Sequence, residues 1–346
     1  MIATRILRRP RVLIVGCGDI GMRALPLLQA RNNAPRVIAL THHPERAKQL
    51  REAGALPIAG DLDDRRTLRR LIGVARNVVH LAPPPRDSAH DTRTRALIAT
   101  LRGKHRSVAR STSGAVMRQR TVRGFLRGYA SDAHRGLRDP SRPSLGRISF
   151  IVPERSFRFV YASTTGVYGD CGGAWIDETR PARPENERAR RRVSAEKQLR
   201  GAGARSGWRV SIVRIPGIYA GDRLPLARIE RSMPALVQSD DVYTNHIHAD
   251  DLAAIILRTL ARGRAQRVIN ASDDTDLRMG DYFDRVADAF GLPRVPRITR
   301  DEAQARLEPI TLSFMRESRR LANARLKREL GYTLRHPTVD DFLTKR

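Results

Sequence analysis

The sequence is poor in several residue types, and each shortage excludes a class of protein. Only two cysteines, Cys17 and Cys171, occur among 346 residues, too few for a disulfide framework or a cysteine metal cage. The apolar runs at residues 12–15 and 252–257 are far shorter than the roughly 20 residues that cross a bilayer. No metal-ligand cluster, P-loop or Ser-His-Asp arrangement is recognisable. We therefore expect a cytoplasmic protein that uses neither a membrane nor a metal ion.

Lysine is also scarce, although the chain is strongly basic. The formal net charge is +29, yet only five of the 65 basic residues are lysine. A charge of this size can indicate a nucleic-acid partner, but the near-exclusive use of arginine is more typical of biased composition. Aromatic residues make up only 5% of the chain, and no basic stripe with interleaved aromatic residues is present. We expect a small-molecule partner; nucleic acid and an anionic substrate such as a phosphorylated sugar stay open as readings of the charge.

Short apolar runs alternate with helical periodicity through the first hundred residues and again after residue 156. The predicted strands are residues 11–15, 37–41, 57–59, 77–82, 157–163, 208–214 and 268–270. The predicted helices are residues 22–31, 44–53, 65–74, 92–101, 187–201 and 279–290. Because the strands are continuously apolar, they indicate a parallel sheet covered on both faces. The predicted fold class is α/β, a Rossmann-type doubly wound sheet with a small C-terminal substrate lobe.

This alternation divides the chain into three parts. We predict an NAD(P)-binding Rossmann domain in residues 1–101 and 156–223, and a mainly substrate-side lobe in residues 224–346. Residues 102–155 are rich in arginine, serine, glycine and proline and have no sustained period, which predicts a disordered surface insertion. A lid over the ligand, or a segment outside the stable fold, are the alternatives. The oligomeric state is not predicted.

A glycine-rich turn follows the first predicted strand and opens the first helix. In this setting the first glycine makes the tight turn, the second lets a pyrophosphate approach the backbone, and the third allows close packing. The N–H groups at the helix N-terminus favour the phosphate charge. The turn predicts a dinucleotide site that contains Gly16, Gly18, Asp19, Ile20 and Gly21.

The end of the second strand favours NADP over NAD. An NAD enzyme usually places Asp or Glu there to bind the ribose hydroxyls. This chain has Thr41, His42 and Arg46 instead, which could bind a 2′-phosphate. The predicted cofactor path continues after the third and fourth strands through Asp61, Leu62, Ala82 and Pro83.

Five segments resemble the extended short-chain dehydrogenases/reductases (SDRs), the group that holds sugar-nucleotide epimerases and dehydratases. The matching segments are residues 162–170, 214–219, 245–252, 323–326 and 330–332. The first looks like the group's strand-five motif, the second is similar to its sixth-strand segment near the nicotinamide, and the third resembles its substrate-lobe signature. The resemblance covers nearly the whole chain except the arginine-rich insertion. It implies that Pro216 and Gly217 lie beside the cofactor.

The resemblance fails at the catalytic pair. The group uses Tyr-x-x-x-Lys on the helix after strand five, with tyrosinate as the acid/base. One register puts Arg188 and Arg192 at these two positions, and the other puts Val193 and Lys197 there; neither supplies a tyrosine. Arginine stays protonated and cannot shuttle a proton. Arg188 and Arg192 share one helical face, so they are predicted to bind a phosphate or carboxylate of the substrate, with a solvated face as the alternative.

Other residues are candidates for the missing chemistry. Thr164 matches the group's catalytic Ser/Thr and would bind a substrate carbonyl or hydroxyl, or else cap the backbone. Tyr168 is a candidate replacement acid, and Asp91 lies near the position of the group's helix-four Asn. His248 is a candidate substrate ligand, with packing inside the lobe as the alternative. A catalytic tetrad that lacks its usual residues, as here, is found in the atypical members of the group.

Two functions follow from these motifs and the resemblance. The first is an NAD(P)-dependent oxidoreductase, epimerase or dehydratase that acts on an unknown carbonyl or hydroxyl substrate, with nucleotide sugars among the options. Hydride would then pass between the nicotinamide and a carbon held near Thr164. The alternative is a catalytically degenerate sensor or scaffold that binds NADP without turnover.

Overall fold

Seven parallel strands form the central sheet of the computed structural model, which describes residues 9–103 and 156–345. In chain order the strands are β1 (Arg11–Val15), β2 (Arg36–Thr41), β3 (Ala55–Ala59), β4 (Asn77–His80), β5 (Arg158–Thr164), β6 (Arg209–Ile215) and β7 (Arg267–Asn270). Their spatial order is β7-β6-β5-β4-β1-β2-β3. The order reverses between β1 and β4, which is where ligands bind in doubly wound sheets. The predicted Rossmann-type α/β fold is confirmed.

Helices cover both faces of the sheet. They are α1 (Asp19–Gln29), α2 (Ala47–Glu52), α3 (residues 92–103), α4 (Glu187–Ser206), α5 (Ala249–Arg262) and α6 (Met279–Ala289). Val12 and Ile14 of β1 face the core under α1 and α5, whereas Leu13 and Val15 face the core under α3 and α4. Because both faces are buried, the strands are apolar at most central positions, which is why the sequence indicated them.

Three helix predictions differ from the structure. The predicted helix at residues 65–74 was wrong in type: only Thr67–Leu71 is helical, as a 3₁₀ turn. Its buried residues, Leu68 and Leu71, are three apart, which suits the three-residue period of a 3₁₀ helix. The segment 44–53 begins as a 3₁₀ turn and continues as α2. Helix α4 runs five residues beyond the predicted end, to the left-handed Gly207.

Residues 224–345 combine short elements with two that belong to the sheet layers. Helix α5 packs on the sheet and β7 forms its edge. A separate apolar core surrounds α6 and contains Tyr219, Tyr282 and Phe283. The short helices are Leu226–Glu230, Arg300–Arg306, Pro309–Phe314, Ala324–Leu330 and Val339–Leu343. The short strands are Trp175–Ile176, Gly217–Tyr219, Ala235–Leu236, Tyr243–Thr244, His246–His248, Leu277–Arg278, Arg297–Ile298 and Arg320–Leu321.

The predicted insertion at residues 102–155 lies almost wholly outside the described residues. Helix α3 continues through residues 102 and 103, and residues 104–155 are not described. In the part of the chain that the structure describes, no helix is both long enough and apolar enough to span a membrane.

Candidate functional site

The glycine-rich turn joins β1 to α1 at the carboxyl edge of the sheet. Gly16 has a φ of +82°, and a Cβ there would lie 2.7 Å from the backbone nitrogen of Ala82, so no larger residue fits. A Cβ on Gly18 would meet no described atom within 4 Å. Among the described side chains none caps the N-terminus of α1. Its N–H groups therefore face open space, as a bound pyrophosphate requires.

Three adjoining cavities follow this edge of the sheet. The first, of about 400 Å³, lies over the ends of β2, β3 and β4. The second, of about 310 Å³, lies over the first turn of α1 and shares Gly16, Gly18 and Leu81 with the first. The third, of about 240 Å³, shares Thr164 and Pro216 with the second. Because neighbouring cavities share lining residues, the three form one continuous row along this edge.

Every residue that the sequence assigned to the cofactor lines this row. The first cavity is lined by Gly16, Gly18, Thr41, His42, Arg46, Asp61, Leu62, Ala82 and Pro83. The second is lined by Gly16, Gly18, Asp19, Ile20, Gly21 and Pro216. Gly217 lines the third cavity. The structure thus brings all of these residues to one edge of the sheet.

The first cavity is rich in cationic and neutral polar groups. The Thr41 hydroxyl at the end of β2 accepts a hydrogen bond from the His43 backbone N–H at 3.1 Å. The Arg46 Nη1 donates to the Cys17 carbonyl at 3.0 Å, which holds the guanidinium over the glycine turn. Arg93 also lines the cavity and pairs with Asp63 at 2.6 Å. No carboxylate stands at the end of β2, where it would repel a phosphate.

An ion network surrounds the first residue of α1. Asp19 accepts hydrogen bonds from Arg23 and Arg223, each at 2.8 Å. Partial burial opposes ionisation, but these two arginines hold the pKa of Asp19 below its usual value. Arg23 also pairs with Asp250 of α5 at 2.7 Å. Arg223 lines the second cavity, so a cation accompanies the N–H groups of the helix there.

The structure decides between the two registers for α4. Arg192 lines the second cavity, where its Nη1 donates to the Ala162 carbonyl at 2.6 Å and to the Tyr161 hydroxyl at 3.2 Å. Arg188 lines the third cavity. In the other register, Lys197 is exposed and Val193 packs against the buried cluster that contains Val167 and Tyr168. Arg188 and Arg192 therefore line the described cavities, whereas Val193 and Lys197 do not.

Thr164 lies at the junction of the second and third cavities. It ends β5, and its Oγ1 accepts a hydrogen bond from the Gly166 backbone N–H at 3.3 Å. The same side chain lines both cavities. The sequence left open whether Thr164 caps the backbone or faces a ligand. In the structure its side chain caps the backbone and also lines both cavities.

Three predicted site residues lie away from the row of cavities. The Tyr168 hydroxyl is buried and donates to Asn270 Oδ1 at 2.7 Å. Asp91 caps α3 and accepts from the Thr94 backbone N–H at 2.9 Å and from its hydroxyl at 2.7 Å. Neither a catalytic Tyr168 nor a catalytic Asp91 agrees with these positions, because neither side chain lines any of the three cavities.

His248 is the third of these residues, and it is not placed to bind a substrate. Its Nδ1 accepts from the Asp250 backbone N–H at 3.2 Å, so the side chain caps α5. Its ring centroid stands 3.9 Å from that of His336 and 4.9 Å from that of Phe342. Burial and the neighbouring His336 lower the pKa of His248. His248 therefore packs inside the C-terminal lobe, which is the alternative that the sequence left open.

Sequence reasoning missed two charged residues of the third cavity. Glu317 accepts hydrogen bonds from Asn186 Nδ2 at 2.8 Å and from Arg319 Nη1 at 2.9 Å. A Cβ built on Gly166 would lie 3.7 Å from Thr164 Oγ1 and 3.8 Å from Glu317 Oε2. A small group therefore fits between the hydroxyl and the carboxylate. The only signal in the sequence was the position of Glu317 and Arg319 just before the C-terminal segment of the resemblance.

A buried ion pair fixes the elements that carry these residues. The Arg214 Nη2 on β6 lies 2.8 Å from Glu196 Oε2 on α4, and both side chains are 5% exposed. The Ser163 hydroxyl on β5 donates to Glu196 Oε1 at 2.6 Å. Burial opposes the charge of Arg214, but the bond to Glu196 raises its pKa. The pair therefore sets the distance of α4 from Thr164.

The described residues, 9–103 and 156–345, contain no recognisable metal centre. Within these ranges, no group of three or more His, Cys, Asp or Glu side chains is arranged to hold an ion.

Two family models match consecutive parts of the chain. Residues 12–115 match the TrkA-N domain, and residues 147–272 match the NAD dependent epimerase/dehydratase family. Among curated proteins the sequence has no significant match.

Solved structures match nearly the full length of the chain. A functionally unknown conserved protein from Silicibacter pomeroyi has a TM-score of 0.66 and 23% identity, with 97% of each chain covered. The UDP-glucose 4-epimerase of Thermotoga maritima, solved with UDP-glucose, has a TM-score of 0.64 and 17% identity, with 96% of each chain covered. The dTDP-glucose 4,6-dehydratase of Bacillus anthracis, solved with NAD, has a TM-score of 0.65 and 14% identity, with 97% of this chain and 94% of that chain covered. At such identities the likeness concerns the fold.

Proposed function

We propose that the chain is an NAD(P)-dependent oxidoreductase, epimerase or dehydratase of the extended SDR kind, starting from the match of residues 147–272 to the NAD dependent epimerase/dehydratase family. The observation that carries the proposal is the continuous row of cavities. It joins the glycine turn, where a pyrophosphate would bind, to Thr164, where a substrate oxygen would bind. Nucleotide sugars, the ligands of two neighbours of this fold, are one candidate class of substrate.

The first cavity supports NADP as the cofactor. Thr41, His42 and Arg46 surround the end of β2, and Arg46 presents a guanidinium to the cavity. A 2′-phosphate would gain charge-assisted hydrogen bonds there. Both cysteines are free, which fits the reducing cytoplasm in which this cofactor is abundant.

Residues of the second cavity would hold and orient the reactive end. Arg192 stands where the family places lysine, and its Nη1 is fixed by the Ala162 carbonyl. When bound, the dinucleotide supplies or accepts the hydride. The Thr164 hydroxyl would donate to the substrate oxygen, which places the neighbouring carbon at the border of the second and third cavities.

The proton of the reaction would move to or from Glu317. Oxidation of a hydroxyl breaks a C–H bond, which releases hydride, and an O–H bond, which releases a proton. Glu317 lines the same cavity as Thr164, and Asn186 and Arg319 hold its carboxylate in the ionised form that can accept the proton. Arginine cannot take this role, because it stays protonated.

The test is calorimetric titration with NADPH and then NADH. We expect micromolar affinity for NADPH, and loss of that affinity in Gly18→Asp, because a carboxylate in the turn repels the pyrophosphate. Gly103→Asp is the matched control, since a Cβ there also meets no described atom within 4 Å. If the wild-type protein binds neither dinucleotide, the proposed function is wrong.

A further inference from the structure

The third cavity contains an arginine whose charge no described neighbour balances. Arg188 lies in the first turn of α4, where the helix dipole disfavours a cation. Its guanidinium carbon is 4.6 Å from the centroid of the Phe314 ring. The Arg188 side chain is exposed, and no described residue accepts a hydrogen bond from this guanidinium or forms an ion pair with it. The ring holds the guanidinium by stacking and leaves its N–H groups free.

The other two charges of the cavity balance each other. Arg319 and Glu317 pair at 2.9 Å, with side chains that are 12% and 10% exposed. Arg319 Nη1 also donates to the Gly169 carbonyl at 2.8 Å. Arg188 is therefore the cation that remains for a ligand in this cavity of about 240 Å³.

The position of Arg188 on α4 places its charge in the same row of cavities as the proposed position of the reacting carbon. Arg188 and Arg192 are four residues apart and share one face of α4, and they line the third and second cavities respectively. Thr164 lies where these two cavities meet. Arg188 and Thr164 both line the third cavity, so one small molecule bound there can contact both.

We propose that the substrate carries a carboxylate or phosphate, which Arg188 binds close to the carbon that bears the reacting oxygen. This inference rests on the proposed function, since it names the substrate class of the same site. The guanidinium fork donates two parallel hydrogen bonds to either group. A hydroxy acid, a keto acid or a sugar phosphate has this chemistry, and a neutral sugar does not.

The experiment measures oxoanion binding separately from the dinucleotide. Gly18→Asp is the background, because its carboxylate removes the competing anion site at the glycine turn. Inorganic phosphate and malonate are titrated calorimetrically into this full-length variant and into versions that add Arg188→Gln or Arg200→Gln. We expect Arg188→Gln to weaken binding at least tenfold. Arg200→Gln removes the same charge from an exposed position of α4 and should change binding less than twofold. Whichever of the two anions binds more tightly indicates whether the substrate group is a phosphate or a carboxylate.

A third variant reverses the sign of the effect. Glu317→Gln removes the negative charge beside the site and releases Arg319, so we expect it to strengthen anion binding severalfold. Equal affinity in the Arg188 and Arg200 variants, or no anion binding in the Gly18→Asp background, would overturn the inference. Failure of the wild type to bind either dinucleotide would overturn the proposed function alone, because the anion titrations do not depend on the dinucleotide.

Discussion

At the scale of single residues, the Arg214–Glu196 pair holds the candidate site together. It joins β6 to α4, and the Ser163 hydroxyl adds β5 to the same network. An ion pair this deeply buried contributes little net stability, because removal of both charges from water opposes their attraction. Its role is positional, since it fixes the helix that presents Arg188 and Arg192.

Removal of one partner of this pair should be costly. Glu196→Gln leaves the Arg214 charge buried and uncompensated, so we expect a loss of about 3–5 kcal/mol in the free energy of unfolding. Urea denaturation measures it. Glu187→Gln, which removes an exposed carboxylate from the same helix, should cost less than about 1 kcal/mol. Similar costs for the two variants would contradict the structural role of Glu196.

Arg46 should distinguish the two dinucleotides. Arg46→Gln removes the guanidinium from the first cavity, so we expect NADPH affinity to fall about tenfold while NADH affinity changes little, because a charge-assisted hydrogen bond contributes roughly 1.5–3 kcal/mol. Calorimetry with both cofactors measures this difference. Arg51→Gln on the exposed side of α2 is the control. An equal fall for both cofactors would mean that Arg46 does not contact the 2′-phosphate.

Asp273 should make stability depend on pH. Its side chain is 2% exposed, and burial raises its pKa to about 7. The folded protein therefore keeps this proton between about pH 4 and 7 while the unfolded chain releases it, so stability falls with rising pH by up to about 1.4 kcal/mol per unit. The advantage of wild type over Asp273→Asn should shrink across this window and level off above pH 7 in thermal unfolding. The exposed Asp301→Asn variant should show no such trend, and a difference from Asp273→Asn that is constant with pH would refute the expectation.

At the scale of elements, Asp91 shows how a cap can resemble a catalytic residue. It follows β4 at the carboxyl edge of the sheet, as a catalytic group would, yet its carboxylate is consumed by the first turn of α3. N-cap side chains of this type satisfy backbone N–H groups that the helix leaves free. The sequence contains the residue in either case, and only the packing of α3 decides its role.

The cap interpretation has a measurable consequence. Asp91→Ala should lower the free energy of unfolding by about 1–2 kcal/mol, whereas Asp91→Asn, which can still accept the Thr94 N–H, should cost less. NADPH affinity should stay unchanged in both. A variant that keeps its stability but loses turnover would restore Asp91 to the active site.

Local patterns explain which elements and site residues could be predicted. Continuous apolar runs identified the sheet strands to within two residues at each end, because these strands are buried on both faces. The cofactor residues were also local, since they follow strand ends that meet at one edge. Glu317 could not be found this way: it reaches Asn186 across 131 residues of sequence, and no period or motif encodes that contact.

At the scale of the whole molecule, the C-terminal third completes a site that the sheet begins. The sheet and α1 supply the first two cavities, and the segment that contains Phe314, Glu317 and Arg319 closes the third. Helix α4 borders both parts through Arg192 and Arg188. Under the proposed function, the cofactor and the substrate would therefore bind to separate regions of the chain that meet at Thr164.

A substitution at Gly166 can test that separation genetically. An alanine methyl there would stand 3.7 Å and 3.8 Å from Thr164 and Glu317, at ordinary contact distances, so the fold should tolerate Gly166→Ala. Because Gly166 lines only the third of the three cavities described, we expect NADPH affinity within twofold of wild type, with oxoanion binding and turnover lost. Unchanged oxoanion binding would show that the methyl group does not block the cavity. A cell that carries this allele would keep a dinucleotide sensor and lose an enzyme, so its growth would reveal which of the two the organism needs.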